Sequence, residues 1–134
     1  MTPILFTPRS ARRVLAEIRP VAERMCRIFR SLEERKPRRI ASDDRVDPTY
    51  FRLLIDLCGT FDRIGKTGVQ VKDPREGLLD FPAKRDGRDV LLCWKVGEPT
   101  LAFWHEPEEG LAGRRRVDEE GPWEDRKAPV ERTG

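Results

Sequence analysis

Histidine and long apolar runs are scarce in this chain of 134 residues. His105 is the only histidine, and the HExxH pairing of zinc proteases is missing with it. The longest apolar stretches, around Leu53 to Cys58 and Val90 to Trp94, fall far short of the roughly 20 residues a membrane-spanning helix needs. Around the short run Ile4 to Phe6 the positive charges follow rather than precede, which is not the order of a secretory leader. Cysteines number three, Cys26, Cys58 and Cys93, with no CxxC spacing, so neither a disulfide framework nor a zinc knuckle is expected. Reduced thiols in a cytoplasmic protein are. A GxSxG elbow, a phosphate loop and a dinucleotide fingerprint are also lacking, and the adjacent acids Glu33-Glu34 and Glu108-Glu109 carry no specificity on so charged a surface.

Charge is abundant but uneven. Hydrophobic residues make up 37% and charged residues 38% of the chain, whose net charge is +3. Residues 9–39 hold eleven basic and four acidic groups, residues 40–113 ten against fourteen, and residues 114–134 six of each. A single core is expected over residues 1–113, followed by a charged, flexible tail over 114–134 that Trp123 is placed to anchor.

Thr7-Pro8 reads as a helix cap followed by proline at the first helical position. Ala11, Leu15, Ile18, Ala22, Met25, Phe29 and Leu32 then recur at steps of four and three along one stripe. Pro20 lies inside this pattern and predicts a kink or a restart. Asp47-Pro48 repeats the start signal, and Tyr50, Leu54, Leu57, Phe61 and Ile64 form a second stripe closed by Gly65 and Gly68. The short basic connection Lys36 to Asp44 makes the pair an antiparallel helical hairpin. Beyond it the period turns extended: Val69 to Lys72, Leu78 to Phe81, Val90 to Lys95 and Thr100 to His105, with a turn at Asp86-Gly87. The fold expected is α+β, a helical hairpin packed on an antiparallel sheet of three or four strands.

From Leu78 to Arg114 the chain combines Asp80-Phe81-Pro82, Asp86-Gly87, Leu92-Cys93-Trp94, Gly97-Glu98-Pro99, Trp104-His105-Glu106 and Gly113-Arg114 in one order at close spacing. This segment resembles the prokaryotic family called domain of unknown function 2203, and Phe6-Thr7 and Arg19-Pro20 extend the likeness to the helical half. The resemblance implies one fold unit of bacterial origin and supplies no reaction.

Candidate sites follow from side-chain chemistry. Cys93, His105 and Glu106 are metal-ligand candidates, with Glu98 and Asp80 as further local donors. Hairpin parity decides whether they meet: pairing Lys95 with Thr100 turns Cys93 and His105 to opposite faces, whereas pairing Val96 with Thr100 puts Cys93, Phe103 and His105 on one. The favoured alternative to a metal is a buried thiol beside a hydrogen-bonded histidine. A small-ligand site would use Asp80, Glu98, His105, Glu106 and Arg114 as polar groups between walls of Trp94 and Trp104, although core packing of the aromatics is the commoner arrangement. The arginines of the first helix, Arg12, Arg13, Arg19, Arg24, Arg27, Arg30 and Arg35, raise RNA or ribosome association, but no exposed aromatic accompanies them. The leading expectation is a non-enzymatic binding or assembly module, with self-association through leftover apolar surface. Small-ligand or metal binding is the alternative, and RNA a further one.

Overall fold

In the computed structural model, residues 4–35 and 47–125 are described. Helix α1 spans Pro8–Arg35 and α2 spans Pro48–Gly65; they are followed by β1 (Gln70–Asp73), β2 (Leu78–Arg85), β3 (Arg88–Lys95), β4 (Phe103–His105), a 3-10 turn (Gly110–Gly113) and β5 (Arg115–Arg116). The expected connection Lys36 to Asp44 and the chain from residue 126 onward lie outside the described residues.

Both helix starts follow the cap chemistry. The Ser10 amide donates to Thr7 Oγ1 at 3.1 Å while the Thr7 amide donates to Ser10 Oγ at 2.9 Å, and Asp47 accepts from the Thr49 amide at 2.9 Å. Helix α1 runs through Pro20 without restarting. Pro20 and Ala16 are exposed, so water can reach the Ala16 carbonyl that the proline leaves without its helical donor. Ala11, Leu15, Ile18, Ala22, Met25 and Leu32 are buried, with Phe29 partly so, as their spacing requires.

The sheet is antiparallel in the order β1-β2-β3-β4-β5. Asp86 and Gly87, both at positive φ (52° and 77°), form the two-residue turn that joins β2 to β3 and sets Arg85 opposite Arg88. Five strands stand where three or four were expected. The extra one, β5, is two exposed arginines with no apolar alternation; it pairs with β4 through Phe103 opposite Arg116 and Trp104 opposite Arg115. The sheet therefore extends into the segment expected as tail, where Trp123 bridges to Arg85 and meets Trp104 edge-on at 6.1 Å.

Register sorts the side chains. Leu79, Phe81, Ala83, Val90, Leu92, Trp94 and Trp104 share one sheet face and one core with the helix stripes. The opposite face carries Asp80, Pro82, Leu91, Cys93, Phe103 and His105. Among the described residues no helix is long and apolar enough to cross a membrane.

Candidate metal centre

Three adjacent strands bring Asp80, Cys93 and His105 together on the face away from the helices. Asp80 on β2 stands directly opposite Cys93 on β3, and Cys93 is opposite Phe103 on β4, which puts His105 one diagonal step away on the same side. This is the parity of the Val96-Thr100 alternative, with ladder pairing between β3 and β4 ending at Cys93 and Phe103. One ligand atom from each of the three side chains lies within 4.8 Å of the others. All three residues are buried, at 2% exposure for Asp80, 1% for Cys93 and 3% for His105.

The hydrogen-bond inventory here does not close without an added cation or proton. His105 Nδ1 is 2.6 Å from the Glu106 carbonyl oxygen, which can only accept, so Nδ1 carries a hydrogen. In a neutral imidazole Nε2 then presents a lone pair, and it faces Asp80 Oδ1 at 3.1 Å. A carboxylate and an imidazole lone pair at that distance repel unless a proton or a metal ion lies between them. Burial pushes the Cys93 thiol up to about 12, and the negative charge of Asp80 adds to the effect against the opposing pull of Arg114. Such a thiol is no nucleophile, and both His105 nitrogens already have partners other than sulfur. The arrangement is thus unsuited to a cysteine–histidine catalytic pair.

A divalent metal fits it. Zinc held at 2.0–2.3 Å by oxygen, nitrogen and sulfur sets tetrahedral donors about 3.3–3.6 Å apart. The Nε2 to Oδ1 distance of 3.1 Å is close to that separation. The backbone carbonyl on Nδ1 fixes the tautomer that leaves Nε2 free to ligate, the usual outer support of a metal-bound histidine. One carboxylate, one thiolate, one neutral imidazole and a divalent ion sum to zero charge, which removes most of the cost of burying ions.

The remaining candidates serve elsewhere. The Glu106 carboxylate turns to Arg88 at 2.9 Å and Arg115 at 3.9 Å, and is not among the three donors. Glu98 accepts from Arg114 Nη2 at 2.7 and 2.9 Å and from the Lys95 amide at 2.7 Å, while its carbonyl accepts from Trp94 Nε1 at 3.0 Å. Arg114 also lies 4.1 Å from the Phe103 ring centre, beside Cys93 rather than among its ligands. Trp94 and Trp104 stand on the helix-facing side and do not wall this site. Several first-helix arginines are bound within the chain: Arg12 to Glu119 and the Leu101 carbonyl, Arg19 to the Pro99 carbonyl and over Trp94, Arg24 to Asp56, and Arg30 to the Arg75 carbonyl.

The model of a family described as uncharacterised conserved protein DUF2203 matches residues 4–117. No curated protein and no solved structure matches the chain.

Proposed function

The chain belongs to the DUF2203 family, and from that premise we propose that it is a metal-binding domain whose Asp80, Cys93 and His105 hold one divalent transition-metal ion. The carrying observation is the buried convergence of His105 Nε2, the Asp80 carboxylate and the Cys93 thiol within 4.8 Å, with His105 Nδ1 already held by the Glu106 carbonyl. Mixed sulfur, nitrogen and oxygen donors favour zinc over magnesium or calcium, which take all-oxygen sets. Three protein ligands leave a fourth position, the count of zinc sites that take water or an exogenous ligand. A thiolate ligand persists in a reducing compartment, and the three free cysteines agree with the bacterial cytoplasm. The RNA reading draws less support, since the basic helix has intramolecular partners for Arg12, Arg19, Arg24 and Arg30.

Elemental analysis with native mass spectrometry of the full chain tests the proposal. One zinc per chain is expected, and Cys93→Ser and His105→Ala should each lower the retained metal at least tenfold. A chain that neither retains zinc nor binds it on titration contradicts the proposal, as does zinc binding that both substitutions leave unchanged.

A further inference from the structure

Helix α2 is thinly buried for an apolar helix. Of its 18 residues only Leu57, Thr60 and Ile64 are buried, while Phe51 and Ile55 are 57% and 58% exposed. One turn beyond Ile55 on this outer stripe stands Gly59. A glycine in a helix interior is less favourable than alanine, because it loses more backbone freedom on folding. Nothing among the described residues requires one here: a Cβ at Gly59 would meet none of their atoms within 4 Å, and its φ is not among the positive ones. Gly59 instead lines an open groove of 420 Å³ between the helices, with Val21, Ile55 and Thr60 as its uncharged neighbours and Arg24, Asp56, Asp62 and Arg63 as its charged ones.

We infer that this face is the interface of a two-fold dimer, in which Phe51 of each copy fills the Gly59 groove of the other. Knob and hole lie on one stripe of one helix, four residues to either side of Ile55. A two-fold axis at Ile55 therefore exchanges them in an antiparallel pairing of α2 with α2, the self-complementary form that symmetric dimers require. A foreign partner would need only one of the two features. Charge agrees: the same pairing sets Asp62, which also reaches Lys66 at 2.9 Å in its own chain, opposite Pro48 in the first turn of the second copy's α2, where the helix dipole favours an acid. The second copy thus supplies what the exposed phenylalanine, the exposed isoleucine and the mid-helix glycine lack among the described residues of one chain. The surface lies on the helical layer, away from the sheet face of Asp80, Cys93 and His105, so the inference stands apart from the metal proposal.

Sedimentation equilibrium of the full chain, read together with urea unfolding, tests it. The native chain should sediment as a reversible dimer. Gly59→Leu fills the groove and replaces glycine with a better helix former, so it should raise the dimer dissociation constant about 10- to 100-fold while a monomer keeps or gains resistance to urea. Phe51→Ala should weaken the dimer by a similar factor without touching the core. A native chain that stays monomeric at its highest soluble concentration overturns the inference, as does a dimer whose dissociation constant neither substitution moves.

Discussion

Cys93 ties the proposed metal site to a pH signature. Without metal its thiol holds its proton up to about 12, against 9.0 for an exposed thiol, because burial and Asp80 oppose the thiolate. The unfolded chain releases that proton first, so the metal-free fold binds more protons between those values and loses stability as pH rises past about 9, by at most about 1.4 kcal/mol per pH unit. Below 9 the contribution is fully present. With metal bound the thiolate already exists at neutral pH, and the alkaline decline from this group should vanish. Urea unfolding across pH, with and without a chelator, reads the contrast; identical profiles would separate Cys93 from any metal. Glu98 behaves differently. Its bonds to Arg114 and to the Lys95 amide hold a turn, so Glu98→Gln should lower unfolding free energy by about 1–3 kcal/mol while leaving metal stoichiometry intact. Loss of metal with unchanged stability would instead make Glu98 part of the site.

The β2–β3 hairpin was readable further than its turn. Asp86-Gly87 fixes Arg85 opposite Arg88, and counting back five pairs from there reaches Asp80 opposite Cys93. The sequence therefore held the Asp80–Cys93 contact in the length of one turn. The pairing of β3 with β4 was not readable in the same way, because the chain from Val96 to Ala102 is an irregular loop whose path depends on Arg19, Trp94 and Arg114. The helices were legible from their caps and stripes, whereas β5 had no signal: two exposed arginines pair as a strand only because β4 offers them an edge. Past β5, Trp123 meets Trp104 edge-on, and Arg85 lies over both rings. Trp123→Ala should accordingly lower unfolding free energy by about 1–2 kcal/mol in urea titrations. No measurable change would mean that residues 117–125 add nothing to the sheet.

Across the whole molecule the two faces of the sheet divide the work. One face closes the hydrophobic core with the helices, and the other gathers Asp80, Cys93 and His105, three side chains able to hold a metal, from three neighbouring strands. Rigid strands set ligand spacing more closely than loops do, so the site is fixed by the same ladder that fixes the fold. Metal that binds only the folded chain stabilises it by mass action, about 2.7 kcal/mol at a hundredfold excess over the dissociation constant. The most direct measurement is the absorption spectrum of the metal-free protein titrated with cobalt(II). The account predicts saturation at one equivalent, tetrahedral d–d bands, and a sulfur-to-cobalt charge-transfer band that Cys93→Ser removes. A flat spectrum, or a charge-transfer band that survives Cys93→Ser, would contradict it.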